Sequence, residues 1–187
     1  MTATLKIDEC DMTPARLTGE DVLAMTKAGI LREGRGHELI EGVLVQMASQ
    51  YAPHVAMLSK LVRWFNRNLP DEYEVAIGPS IFLSEFTMLE PDVCLYPAGM
   101  KSTDVRGADI LLAVEVSDSS LRYDLGKKAR LYAAHGVRDY WVVDLETETL
   151  HRHSEPGAEG YGRVEKNGFG DAVALPFATD CILHLEG

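Results

Sequence analysis

The segment that decides the fold of this chain is residues 110–144, ILLAVEVSDSSLRYDLGKKARLYAAHGVRDYWVVD. Residues 110–116 form a nearly continuous apolar run, which is typical of a strand buried on both faces. Residues 125–135 predict a helix that ends at Gly136, and residues 138–144 predict a second buried strand. Because strand, helix and strand follow one another so closely, the segment predicts a parallel strand pair with a right-handed crossover.

Upstream of this segment, the sequence predicts a hairpin followed by a helix. Residues 37–47, HELIEGVLVQM, contain alternating apolar residues on either side of Glu41-Gly42, a pair typical of a tight turn. Residues 54–69 carry apolar side chains at helical spacing and are followed by Pro70. These elements come before the buried strands in the sequence.

Shorter predicted elements lie before, between and after the segments described above. Residues 13–29 predict an N-terminal helix that Thr18 caps. Residues 74–83 predict a strand with a break at Gly78, and residues 92–96 predict a short strand that follows Pro91. Beyond residue 150, short strands are predicted over three stretches and an exposed loop over residues 154–160. The three stretches are residues 150–153, 162–164 and 172–175.

Together these elements predict an α/β (α+β) fold. A mixed sheet core is flanked by helices, and an extra antiparallel strand region follows at the C-terminus. We expect a single domain over residues 1–187, because no stretch of the sequence reads as a linker. Its predicted parts are an N-terminal helical arm over 1–35, a core over 36–150 and strand additions over 151–187.

The composition restricts the classes of function. Lysine and arginine number 18 and aspartate and glutamate 29, so the formal net charge is −11. Taken alone, this charge argues against a nucleic-acid-binding protein, because such a surface repels polyanions. No stretch approaches the roughly 20 apolar residues of a membrane span. The three cysteines are odd in number and far apart, which favours a reducing, cytoplasmic compartment, and they form no CxxC pair for zinc.

Two carboxylates stand out against the apolar strands. Glu115 lies inside a strand that is otherwise apolar, and a buried carboxylate is costly unless a cation compensates it. Asp92 begins the strand that follows Pro91, at a separation that allows the two strands to lie side by side. Two carboxylates at the ends of adjacent strands form a hard oxygen site, which suits Mg²⁺ or Mn²⁺ better than zinc.

A lysine on the next helix completes the candidate site. Asp124, Lys128 and Tyr132 follow at i, i+4 and i+8, so they share one helical face. If that face packs on the sheet, Lys128 reaches over Glu115. An ammonium beside two carboxylates that hold a metal suits phosphodiester hydrolysis. Glu38, which begins the hairpin, is a further carboxylate that could complete the metal shell.

Several motifs resemble a known family. They are HELIEGVLV (37–45), Pro53-His54, Pro91-Asp92-Val93, VEVSDSS (114–120), and the spaced residues Asp124, Lys128, Tyr132, Gly136, Val137, Asp139, Tyr140, Trp141 and Asp144. In this combination the chain resembles the Uma2 family, a bacterial group of the PD-(D/E)XK restriction-endonuclease-like superfamily. The resemblance covers about residues 36–150, and its most specific part is 124–144.

The resemblance implies a metal-dependent endonuclease that acts on DNA, with a restriction-endonuclease-like fold. It implies Asp92 and Glu115 as the two superfamily acids and Glu38 as a helper acid, with Mg²⁺ or Mn²⁺ as the cofactor. The superfamily's lysine is expected two positions after the second acid, where this chain has Ser117. The resemblance places that lysine on the following helix, at Lys128.

Three functions remain open at this point. The first is the endonuclease. The second is a catalytically inactive, nuclease-like module that binds a nucleic acid or a protein, which Ser117 and the acidic surface favour. The third is a hydrolase of another phosphate ester that uses the same residues. Because nucleases that cut both strands often act as symmetric dimers, we expect a homodimer.

The distribution of the cations qualifies the argument from net charge. Basic residues occur in two groups, and a shared face would allow salt-sensitive DNA binding in spite of the net charge. The first group lies on the predicted helix over 54–69, and the second surrounds the proposed site. The groups are Lys60, Arg63 and Arg67, and Arg122, Lys127, Lys128, Arg130 and Arg138.

Overall fold

The computed structural model describes residues 14–31, 36–47 and 50–186. Its α-helices in these ranges are α1 Gly19–Lys27, α2 Ala52–Asn68, α3 Leu121–Tyr123 and α4 Ala129–Ala134, with a π-helical turn Asp124–Lys128 between α3 and α4. Two 3₁₀ helices cover Ser102–Asp104 and Gly107–Asp109. The strands there are β1 His37–Ile40, β2 Val43–Gln46, β3 Tyr73–Ile77, β4 Ile81–Ser84, β5 Thr87–Leu89, β6 Val93–Pro97, β7 Leu112–Ser117, β8 Asp139–Asp144, β9 Thr149–Gly157, β10 Gly160–Gly168, β11 Val173–Leu175 and β12 Ala178–Leu183.

A six-stranded mixed sheet with the order β10-β9-β8-β7-β6-β3 forms the centre of the fold. The strands β7 and β8 are parallel, with Glu115 opposite Val142, and each of the other neighbours pairs antiparallel. The parallel pair predicted from residues 110–144 is therefore confirmed, as is the mixed sheet flanked by helices. Both strands are buried along nearly their whole length, as their apolar sequences require.

A smaller sheet with the order β2-β1-β5-β4 contains the predicted hairpin. Its turn residues Glu41 and Gly42 have φ angles of 52° and 88°, the positive values that a tight hairpin turn needs. The strand predicted over residues 74–83 is two strands, because the chain leaves the central sheet after β3 and enters the smaller sheet as β4. The strand β5 was not predicted, since three residues carry too little periodicity.

The two faces of the central sheet bury different elements. Successive residues of β7 alternate between the faces, as expected of a pleated strand. Val114 and Val116 pack in the cluster that holds Leu61 and Phe65 of α2. Ala113 packs in a second cluster, which also includes side chains of α4 and of the smaller sheet. The helix α2 and the helical residues 121–134 therefore cover opposite faces.

The condition that both basic groups share one face is therefore not met. The first group lies on α2, and most of the second lies on residues 121–134, across the sheet. Arg138 directly precedes β8, so it lies at the end of the parallel pair remote from Glu115. Lys127 is already paired with Glu41 at 2.8 Å. Positive charge is thus not gathered around one surface.

The C-terminal region forms antiparallel additions, as predicted, but its loop differs. Residues 154–160 were expected to be an exposed loop, and this expectation is wrong. They complete β9 and turn at Ala158-Glu159 into β10, which pairs with β9 as the sheet edge. An edge hairpin that faces solvent needs few apolar residues, so its polar sequence resembled a loop. The pair β11 and β12 packs in the same cluster as α2.

The predicted N-terminal helix is present but shorter than expected, since it begins at Gly19 and the described residues 14–18 before it are not helical. Thr18 caps α1 in a reciprocal capping box with Asp21, and Gly29 follows the helix with a φ of 70°. Thr13, the first residue of the predicted helix, lies outside the described residues. The arm over residues 1–35 and the single-domain division stay predictions. In the part of the chain that the structure describes, no helix is both long and apolar enough to cross a membrane.

The buried histidines of β9 predict a loss of stability in acid. The ring of His153 packs against both Tyr140 and Tyr161, with ring centroids 5.5 and 5.7 Å away. Burial lowers the pKa of His153 from its ordinary value of 6.5. Its stabilising contribution is therefore complete above pH 6.5 and is lost as the pH falls through the lower folded pKa. We expect the melting temperature to fall over this range, and less steeply in His153→Gln. Equal slopes for both chains would contradict this expectation.

Candidate active site

Asp92 and Glu115 meet at one end of two adjacent strands. The strands β6 and β7 are antiparallel, with Val93 opposite Val114, so the residue before β6 lies beside Glu115. The backbone N–H of Val116 donates to Asp92 Oδ2 at 2.8 Å. Both carboxylates are buried, and both line a cavity. The strand pairing therefore brings together two acids that are 23 residues apart in the sequence.

The start of α2 holds the other oxygen of Asp92. Gln50 Nε2 donates to Asp92 Oδ1 at 3.0 Å, and His54 Nε2 lies 3.1 Å from the same oxygen. Burial lowers the pKa of His54, but the interaction with Asp92 outweighs burial, so this pKa is raised overall. The Pro53-His54 motif drew attention to His54. Gln50 belongs to no motif, and sequence reasoning missed it.

Lys128 lies at the centre of a buried charge cluster. Its Nζ is 2.7 Å from Glu115 Oε1, 2.8 Å from Glu38 Oε1 and 4.0 Å from Asp124 Oδ1, and the side chain is 1% exposed. Burial lowers the pKa of Lys128, but the three carboxylates outweigh it and raise the pKa. The ammonium is therefore held in its charged form. The structure thus places Lys128 over Glu115 and does not point it away.

A π-helical turn brings Asp124 and Lys128 inward together. Residues 125–135 were predicted as one regular helix, but the chain forms the π turn Asp124–Lys128 before α4. Such turns widen a helix locally and are frequent at functional sites. Ser117 Oγ and Ser120 Oγ donate to Asp124 Oδ2 at 2.6 and 2.5 Å. Asp124 Oδ1 is buried and has no hydrogen-bond partner among the described residues.

Glu38 lies behind Lys128 and outside the cavity lining. It reaches the cluster from β1 of the smaller sheet and is fully buried. Its Oε1 accepts from the Glu90 backbone N–H at 3.1 Å as well as from Lys128, and its Oε2 accepts from the Tyr123 hydroxyl at 3.4 Å. These contacts make Glu38 a partner of the lysine. No sequence signal pointed to Tyr123.

Glu115 has a second buried donor. The Tyr132 hydroxyl donates to the same Oε1 that Lys128 contacts, at 3.1 Å. Burial raises the pKa of Glu115 well above its ordinary value, while the charge of Lys128 opposes that increase. Asp124, Lys128 and Tyr132 are all buried on the side of the sheet that Glu115 faces, as their spacing predicted. Burial and the nearby cation therefore act in opposite directions on the pKa of Glu115, and burial has the larger effect.

The cavity beside this cluster has a volume of about 480 Å³ and an acidic lining. Its cationic side chain is Lys128, and His54 is the titratable base beside Asp92. Burial also raises the pKa of Glu90, which directly precedes Pro91 in the sequence. Negative groups outnumber positive ones in this cavity. The carboxylates in the lining are Glu90, Asp92, Glu115, Asp118 and Asp124.

The residues fit a hard divalent cation. Within the described ranges, no three or more His, Cys, Asp or Glu side chains are grouped to hold a metal by themselves. Mg²⁺ needs no such cage, because it commonly binds one or two carboxylates and keeps several waters. Asp92 and Glu115 provide such a pair at the cavity. The surplus of negative charge favours a cation there, as does Asp124 Oδ1, which has no hydrogen-bond partner among the described residues.

Comparisons with known proteins agree with this architecture. A family model described as "Putative restriction endonuclease" matches residues 20–185. The fold is similar to the crystal structure of "a putative nuclease belonging to DUF820" from Anabaena variabilis. The two chains are 16% identical, the match covers 90% of this chain and 95% of that one, and the TM-score is 0.73. No curated protein matches the sequence. The structural likeness is evidence for a shared fold.

Proposed function

Because this chain belongs to the Uma2 family, as its motifs indicated, we propose that it is a metal-dependent endonuclease that hydrolyses phosphodiester bonds in DNA. One observation carries this proposal. The Lys128 ammonium lies 2.7 Å from Glu115, whose neighbour across the strand pair is Asp92, and all three line one cavity. The family's description as restriction endonucleases supports the same chemistry.

We assign the metal to Asp92 and Glu115, because both are carboxylates of the cavity lining. A bound Mg²⁺ or Mn²⁺ would supply Lewis-acid stabilisation of the phosphate charge and a more acidic water. Gln50 and His54 orient Asp92 through its Oδ1, and the Val116 N–H fixes the other oxygen. The protein thus holds this carboxylate in one orientation before any ligand binds.

Lys128 is assigned to the negative charge that develops on the phosphate during cleavage. A fixed ammonium in a site with little water stabilises such charge strongly. Glu38 was expected to be a metal ligand. We assign it instead to positioning Lys128, because it contacts the ammonium and does not line the cavity. Asp124, held by two serines, is a second positioning carboxylate.

The position of Lys128 also bears on the alternative of an inactive module. Ser117 stands where the superfamily lysine is expected, and its hydroxyl donates to Asp124. Lys128 approaches Glu115 from the helical segment instead, so the ammonium is supplied from another position. A lysine directed away from the acids would have favoured the inactive module. A hydrolase of another phosphate ester would use the same residues, and a panel of substrates separates it from a nuclease.

Metal binding and plasmid nicking test the proposal directly. The purified chain is titrated with MgCl₂ and with MnCl₂ by calorimetry, and is then incubated with supercoiled plasmid. We expect binding of both metals, and nicking that EDTA abolishes. If neither metal binds or supports nicking of any DNA, the proposal is wrong. Parallel reactions with RNA and with a simple phosphate ester define the substrate class.

A homodimer and a cytoplasmic location are further predictions from the sequence. Cleavage of both strands of a duplex needs two sites of opposite polarity, which a two-fold symmetric dimer supplies. Light scattering at micromolar concentration should give twice the 20.6 kDa mass of one chain. A mass of one chain would contradict the dimer and would agree better with cleavage of one strand at a time.

A further inference from the structure

The N-cap residue of α2, Tyr51, places an aromatic side chain at the mouth of the cavity. Gln50 and His54 both contact Asp92 Oδ1, so the segment between them is fixed against the proposed metal ligand. Tyr51 lies in that segment, lines the cavity and is 66% exposed. Its ring is therefore held near the reacting centre with most of its surface open to solvent.

Two more apolar side chains are exposed beside residues that line the same cavity. Val55 lies one helical turn further along α2 and is 48% exposed. Ile77 is 58% exposed and ends β3 directly before Gly78, which lines the same cavity. We call Tyr51, Val55 and Ile77 the mouth patch. Among the large hydrophobic side chains exposed in the described residues, Tyr51 is the one aromatic.

The charge around the cavity does not favour tight binding of a duplex backbone. Nonspecific affinity for a duplex comes from cations that contact many phosphates. Here the cavity lining is acidic, and the two basic groups lie on opposite faces of the sheet. Asp92, Glu115 and Lys128 are also buried, so a scissile phosphate must enter a recess. A strand that is free of its complement enters such a recess more readily than a duplex does.

Building on the proposed function, we infer that the mouth patch binds an unpaired base of DNA, which stacks on Tyr51. The substrate is then single-stranded or locally unpaired DNA. Aromatic side chains bind unpaired bases in this way in many single-strand-binding proteins, with little dependence on sequence. Stacking would supply affinity that the phosphates do not, and it would position the neighbouring phosphodiester at the recess.

Fluorescence of 2-aminopurine tests the inference separately from cleavage. The full chain carrying Glu115→Gln is titrated, in Mg²⁺, into a single-stranded oligodeoxynucleotide that contains 2-aminopurine and into its duplex. We expect stacking on Tyr51 to quench the fluorescence of 2-aminopurine in the single strand. We also expect the duplex to bind more weakly than the single strand. Tyr51→Ala should raise the Kd for the single strand about 5- to 150-fold, whereas Tyr51→Phe should preserve most of the affinity and the quenching.

The control is Val164→Ala, which removes an exposed apolar side chain from β10, at the sheet edge opposite β3. It should leave the Kd unchanged. The inference is overturned if Tyr51→Ala binds as tightly as its parent, or if the duplex binds as tightly as the single strand. If the wild-type chain cleaves no DNA, the proposed nuclease is refuted. If the fluorescence of the single strand is quenched all the same, base binding by Tyr51 is still supported.

Discussion

Glu115→Gln is expected to abolish metal-dependent cleavage while the chain stays folded. The amide retains the shape of the side chain and can still accept from Lys128 and Tyr132, but it loses the charge that a divalent cation needs. Lewis-acid stabilisation is worth several kcal/mol, and each 1.4 kcal/mol is tenfold in rate, so we expect a loss on the order of 10³-fold. Plasmid nicking and circular dichroism are measured on the same preparation.

The matched control for this variant is Glu146→Gln. Glu146 is an exposed acid in the turn after β8, so the substitution makes the same chemical change away from the cavity. We expect its nicking rate to equal that of the wild type. Normal nicking by Glu115→Gln would remove Glu115 from the proposed site. Equal losses in both variants would show that the rate depends on total charge and not on this carboxylate.

Lys128→Met is expected to cause the largest loss of stability. The Lys128 ammonium lies within 4.0 Å of Glu38, Glu115 and Asp124. Its removal leaves these three buried carboxylates without the positive charge of Lys128. Breaking a buried pair in this way typically costs about 3–5 kcal/mol. We expect the free energy of unfolding in urea, measured at neutral pH, to fall by that amount. Adding Glu115→Gln to this variant should recover part of the loss, because it removes one of the unpaired charges.

The neighbouring lysine provides the control. Lys127→Met removes the same charge one residue away, where the side chain is 44% exposed and pairs with a Glu41 that is 63% exposed. Exposed pairs contribute little, so its free energy of unfolding should change by less than about 1 kcal/mol. If the two variants are equally stable, the carboxylates around Lys128 do not depend on it for their charge balance.

Much of the fold was predictable because its signals are local. The apolar runs and the intervening helix in residues 110–144 predicted the parallel pair, and Glu41-Gly42 predicted the hairpin turn. Two of the errors in strand assignment have the same cause. The three-residue strand β5 and the polar edge hairpin β9-β10 bury too few apolar side chains to show a period of two.

The candidate site was predictable in part. An acid in a buried strand and a lysine at helical spacing were visible in the sequence, and the structure places Glu115 and Lys128 2.7 Å apart. Gln50 was not predictable, because it lies in no motif and meets Asp92 only after α2 packs on the sheet. The role of Glu38 was also hidden, since nothing in the hairpin sequence indicates whether its carboxylate faces the cavity or the lysine.

The sequence by itself determined the main helices and buried strands, the parallel pair of β7 and β8, and which residue types are available for chemistry. These follow from hydrophobic periodicity and turn residues, which depend on neighbours along the chain. Only the tertiary structure decided that the basic residues of α2 and of residues 121–134 lie on opposite faces of the sheet. It also decided that the exposed Tyr51 borders the carboxylates. Contacts between remote segments depend on how elements pack, and the periodicity of one segment carries no information about the face that another segment covers.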